Sequence, residues 1–186
     1  MDTHRKSDKG SGRDYRAFPS LAVAGSIAIA LTAGFGFAAL LALHAGFGWS
    51  VGDWWMPTIQ AHAHAQVLGW LGLFIVGVSL FFVPRLSGVP LGRPRLVGWA
   101  VGLLFWGVVV RVIAQPVLVA LPSSPIILAF PFSAVMEATG IGLYLYLILS
   151  SILRASKDRK ALTAVRPFLV ISLVGWAGFA ALNVDL

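Results

Sequence analysis

The sequence contains no cysteine, which excludes disulfides, thioether-attached haem and thiolate metal sites. Charge is scarce: Asp, Glu, Lys and Arg make up 11% of the 186 residues, where a soluble domain carries roughly 25%. Acidic side chains are the rarest charges, seven against fourteen Lys and Arg. There are only four histidines, and none follows His64. Any imidazole chemistry therefore belongs to the early part of the chain.

Apolar residues are what the chain has in abundance. They make up 58% of it, the mean hydropathy is +0.86, and twenty glycines and twelve phenylalanines stand among them. This composition suits membrane helices, whose small residues let backbones approach. Five apolar segments each approach or exceed the roughly 20 residues needed to cross a hydrocarbon core: about 18–46, 60–83, 96–120, 126–153 and 168–182. The expected fold is an all-α integral membrane protein of five transmembrane helices. Residues 18–186 form one helical domain, behind a disordered basic cytoplasmic tail over 1–17. The first apolar run is too long for a signal peptide and is expected to remain as an anchor.

The basic residues sort by loop. Arg5, Lys6, Lys9, Arg13 and Arg16 precede the first span; Arg85, Arg93 and Arg95 follow the second; Arg154, Lys157, Arg159, Lys160 and Arg166 follow the fourth. The loops "GWSVGDWWMPTI" and "LPSSP" carry no Lys or Arg. By the positive-inside rule the N-terminus is cytoplasmic and the C-terminus outside. The net charge of +7 then reflects topology and anionic headgroups, so the lipid bilayer is the expected partner and nucleic acid is not.

The polar residues inside the spans are few enough to consider singly. "AHAHAQVLGW", residues 61–70, places His62 and His64 near the outer end of span two. At helical spacing they point about 200° apart. Gln66, Gly69, Leu73, Gly77 and Leu80 lie below His62; Val67, Leu68, Leu71, Ile75 and Val78 lie below His64. The His62 side is polar and glycine-bearing, with room for a neighbouring helix or a flat macrocycle, so His62 is expected to turn into the bundle with Gln66 as a candidate partner for its second nitrogen. His64 is expected to turn aside. Headgroup-solvated imidazoles remain the alternative. His44, at the end of span one, is expected at the depth of His62, as an interfacial residue or a second ligand. Arg111 and Glu137 sit near mid-membrane, where an ionisable side chain is costly and faces a partner or a cavity. They are expected in the interior, as a structural ion pair or as an anion-binding arginine and a proton-handling carboxylate. For Tyr144 and Tyr146 packing is the main expectation.

The stretch "HAHAQVLGWLGLFIVGVSLFFVPRLSG", with its His-x-His start and closing Val-Pro, resembles the second helix of the NnrS family. More distantly it is similar to subunit I of the haem–copper oxidases and nitric oxide reductases. "FWGVVVRVIAQP" also looks NnrS-like, with Arg111 at the family's arginine. The resemblance covers about residues 60–116. It implies a bacterial inner (plasma) membrane location and a haem held axially by His62, the metal ligand, with His64, His44, Gln66 and Arg111 as further cofactor-binding residues. Copper ranks behind haem. The chain departs from the pattern at Ala65, where the family often has glutamate. Those families also have more than twice as many spans, and with no histidine after His64 this chain cannot by itself build a dinuclear haem–copper centre.

One histidine would give a five-coordinate haem open to a diatomic gas such as nitric oxide. A second, from His44 or from another copy of the chain, would give a six-coordinate electron carrier. The first functional reading is therefore a haem-binding membrane protein in nitric oxide handling or respiratory electron transfer, alone, as a homo-oligomer, or in a larger respiratory-type complex. A scaffold or assembly subunit of an oxidase-like complex, and a small transporter using Arg111 and Glu137, are the alternatives. Whether the chain is an enzyme is left open by the sequence.

Overall fold

The computed structural model describes residues 17–50, 52–155 and 160–184. The N-terminal tail, with the expectation of disorder attached to it, lies outside the described residues, as do Lys157 and Arg159. Those described are helical apart from short connections. Five helices are long and apolar enough to cross a membrane: α1 (Ala17–Phe47), α2 (Gly52–Ser87), α3 (Arg95–Ala120), α4 (Pro125–Arg154) and α5 (Lys160–Val184).

Three boundaries differ from the sequence reading. α2 begins at Gly52 with a 3-10 turn and is α-helical from Trp55, well before residue 60. Low hydropathy across "DWWMPTIQ" and the proline hid this start. Pro57, however, stands in the first helical turn, where a missing N–H costs nothing because those donors have no intrahelical acceptor. At its other end α2 runs past Pro84 to Ser87 and stops at Gly88, whose φ of +67° makes the left-handed cap that favours glycine. α5 likewise starts at Lys160 rather than 168, with Pro167 inside it.

α2 packs against every other span. α1, α3, α4 and α5 follow one another around it, with α1 against α3, α3 against α4 and α4 against α5. α5 is peripheral; no residue of its most apolar stretch is buried. The core along α2 is Leu68, Leu73, Val76, Leu80 and Val83, meeting Ala22 and Ile29 of α1, Leu104 and Val108 of α3, and Ile141, Leu147 and Ile148 of α4. Of the stripe below His62, Gly69, Leu73, Gly77 and Leu80 are buried; of the stripe below His64, Val67 and Leu71 are exposed but Leu68 is buried.

Glycines set the closest approaches. A Cβ at Gly69 would stand 2.6 Å from Ile29 Cγ2 and 2.9 Å from Val108 Cγ1, and one at Gly77 would stand 2.8 Å from the Pro19 carbonyl oxygen. The room on this face is thus taken by α1 and α3, not by a macrocycle. At the α3–α4 seam a Cβ on Gly140 would meet Leu104 N at 3.0 Å and the Ala100 oxygen at 3.1 Å. Backbone cannot give way as a side chain can. Gly140→Ala is therefore expected to push α3 from α4 and cost about 1–3 kcal/mol, read as a lower midpoint in detergent-induced unfolding; an unchanged midpoint would contradict the seam.

α1 and α2 each contain a π-helical stretch, Ala30–Gly34 and Ala65–Gly72, and the two stretches touch. Such wide turns are rare and occur often at functional sites.

At the end of the bundle bearing Arg85, Arg93 and Arg154, Arg154 Nη2 donates to the Pro90 carbonyl at 3.0 Å, tying α4 to the α2–α3 loop. The Arg93 guanidinium lies 5.8 Å from the centre of the Tyr146 ring. Tyr144 is buried and meets Trp176 edge to face, so packing describes its surroundings.

Candidate functional site

His62 stands where the two π stretches meet. Its Nδ1 donates to the carbonyl oxygen of Gly34 at 2.9 Å. A carbonyl can only accept, so this bond places a proton on Nδ1, and in the neutral ring the lone pair is then on Nε2. Among the described residues Nε2 has no hydrogen-bond partner, and it is not fully buried, so it keeps an accessible edge. A backbone carbonyl that orients one ring nitrogen is the usual support of a ligating imidazole. Gln66 does not provide that support. Its amide instead packs on Gly34, where a Cβ would lie 3.0 Å from Nε2 of the glutamine, and its Oε1 is buried without a partner.

His64 does not turn aside. Its Nε2 is hydrogen-bonded to Oε1 of Glu137 on α4 at 2.9 Å, with side chains 12% and 0% exposed. Two things defeated the sequence expectation. The helical spacing drawn downward from His64 does not carry across the π stretch that begins at Ala65. The late start assigned to α2 also placed His64 too close to the membrane surface. Counted from Trp55, His64 lies nine residues in, about 14 Å along the axis. Glu137 lies eight residues from Ala129, about 12 Å, which brings the two to one level.

Arg111 and Glu137 both face the interior, at 5% and 0% exposure, as expected. Nε and Nη1 of Arg111 are buried without acceptors, and the Phe130 ring centre lies 5.5 Å from its Cζ. Glu137 owes its position partly to Gly107, where a Cβ would come within 2.6 Å of the glutamate Cγ.

His44 is not part of this group. Its Nδ1 bonds the Trp49 carbonyl at 2.8 Å and its ring packs on Trp55 at 4.4 Å between centroids. It lies ten residues along α1 from Gly34, about 15 Å, so the shared depth with His62 does not hold. Among the described residues no group of three or more His, Cys, Asp or Glu side chains comes together to hold a metal ion.

A cavity of about 340 Å³ opens beside His64, lined also by Gln60, Arg111, Gln115, Phe130 and Phe179. Gln115 was missed by the sequence reading. It stands one turn beyond Arg111 on α3 and its Oε1 is buried without a donor; the signal was the Arg-x-x-x-Gln spacing inside an apolar span. Two further cavities are almost wholly apolar, one between α2 and α5 around Trp176, the other between α1 and α3 around Gly25 and Gly102.

Fold and site together define an all-helical integral membrane protein with a buried polar cluster among its spans. No family model, no curated protein and no solved structure matches the chain.

Proposed function

We propose that the protein binds haem in a bacterial inner membrane, and that Nε2 of His62 would be the nitrogen that holds its iron. The relation to the NnrS family belongs to the same proposal. The observation that carries it is the Nδ1–H bond from His62 to the Gly34 carbonyl, 2.9 Å long. It sets the tautomer an iron ligand needs and holds the ring at a defined angle. The donor set fits one axial bond. The glycines of α2 do not add a cradle, since Ile29, Val108 and Pro19 occupy their space. The apolar surface along the α1–α2 seam includes Phe35 and Trp70, whose rings pack at 6.4 Å while staying half exposed.

A bound haem would supply a site for a diatomic gas or for one-electron transfer. The chain's own residues do the rest. Gly34, at the end of the π stretch of α1, fixes the imidazole that α2 presents to it. The test is an optical spectrum of the purified full chain, with pyridine haemochrome stoichiometry, before and after nitric oxide. A Soret band that shifts with nitric oxide is the expected result; protein that neither carries nor takes up haem would refute the reading.

The orientation belongs to the proposal as well: N-terminus cytoplasmic, C-terminus outside, from the alternation of basic and neutral loops. Reporter fusions near Asp53 and at the C-terminus should both report the outside; either one reporting cytoplasm contradicts it.

A further inference from the structure

We infer that the cavity beside Arg111 is a binding site for an amphiphilic monocarboxylate carrying a hydroxyl or N–H next to its carboxylate. The inference is independent of haem.

The cavity's volume, about 340 Å³, lies at the small end of ligand pockets. Its floor is α3. Arg111 presents two N–H-bearing nitrogens, Nε and Nη1, that are buried and have no acceptor. The residue is 5% exposed, so water reaches it poorly, and a guanidinium in such a place calls for an oxyanion. Four residues on, Gln115 stands on the same helix face with Oε1 buried and no donor. A single ligand that satisfies both must offer acceptor oxygens at one point and a donor within about a helical turn of it. A 2-hydroxycarboxylate or an N-acylated amino acid has that arrangement. Phe130, Phe179 and Val67 make the remaining wall apolar, which suits a short hydrocarbon tail.

The carboxylate of Glu137 does not oppose the ligand directly. It does not line the cavity; His64 does, with Nε2 turned to Glu137. Gln60, which is exposed, marks the mouth.

The test is calorimetric titration of the full chain, in nanodiscs of zwitterionic lipid, with 2-hydroxyhexanoate, hexanoate and inorganic phosphate. 2-Hydroxyhexanoate should bind about tenfold tighter than hexanoate, the equivalent of one net hydrogen bond of about 1.4 kcal/mol. Gln115→Leu should erase that difference and keep hexanoate affinity. Arg111→Met should abolish binding of both while leaving the thermal midpoint of the unliganded protein equal to the parent's or above it, because it removes a buried guanidinium two of whose nitrogens lack acceptors. No measurable binding of 2-hydroxyhexanoate overturns the inference, and so does phosphate binding more tightly than either acid. A large loss of midpoint in Arg111→Met assigns the arginine to the scaffold and overturns it too. Haem content, read from the Soret band of the same sample, does not enter the result, so failure of the haem reading leaves this one standing.

Discussion

His62→Ala, purified from the same membranes as the parent, is expected to retain less than a tenth of the parent's haem, an effect of more than about 1.4 kcal/mol at fixed haem. His64→Ala is expected to keep most of it. The contrast follows from what each imidazole already does. His62 spends Nδ1 on the Gly34 carbonyl and holds a lone pair on an accessible Nε2. His64 has Nε2 engaged by Glu137. The readout is the absorbance ratio of Soret to protein, with folding checked by size exclusion. Full haem content in His62→Ala together with loss in His64→Ala would reverse the assignment. Gly34→Ala provides a gentler control: the added Cβ would meet only the amide end of Gln66, at 3.0 Å. That end can swing away, so the carbonyl stays and haem should stay with it.

Glu137→Ala is expected to be among the most damaging single substitutions to the fold, at about 3 kcal/mol, from the lost buried hydrogen bond and the hole it leaves. The glutamate is fully buried, hydrogen-bonded to His64 and seated against Gly107. Truncation leaves a hole and strands a mostly buried imidazole. Glu137→Gln keeps the volume and an acceptor oxygen, and should cost about 1 kcal/mol. A double-mutant cycle with His64→Ala measures the pair itself. A coupling of about 1–3 kcal/mol is expected for two groups in direct contact; a coupling near zero would mean that the 2.9 Å contact does not contribute to stability.

The architecture was legible because apolar length is a one-dimensional property. Five runs of adequate length, broken by loops of alternating charge, needed no knowledge of neighbours. The inward stripe of α2 was legible for a related reason, since Gly69, Leu73, Gly77 and Leu80 recur at helical spacing. The interior positions of Arg111 and Glu137 followed from the cost of charge in hydrocarbon. The partners of the polar groups were not legible. His64 and Glu137 are 73 residues apart, and their meeting depends on where α2 begins and how it is rotated. Pro57 in a first turn, next to Asp53 and two tryptophans, was the sign of an earlier start, and from that start the two residues fall at one depth. The bond from His62 to Gly34 had no side-chain signal at all, because its acceptor is backbone.

The wide turn at Ala65–Gly72 has a consequence for how tolerant α2 is to changes in length. A π stretch accommodates more residues per turn than the α-helix around it, and so acts as an angular offset between the two halves of the span. The half carrying His62 and His64 packs on α1 and α3 and reaches Glu137 of α4 through His64; the half beyond Leu73 is aimed at α1, α3, α4 and α5. Excising one residue from 65–72 would shorten the stretch and change that offset, re-aiming the histidines against the rest of the span. Hydropathy and the inner core would be preserved, yet both imidazoles would leave Gly34 and Glu137. For this span, residue count is a property under the same constraint as residue identity.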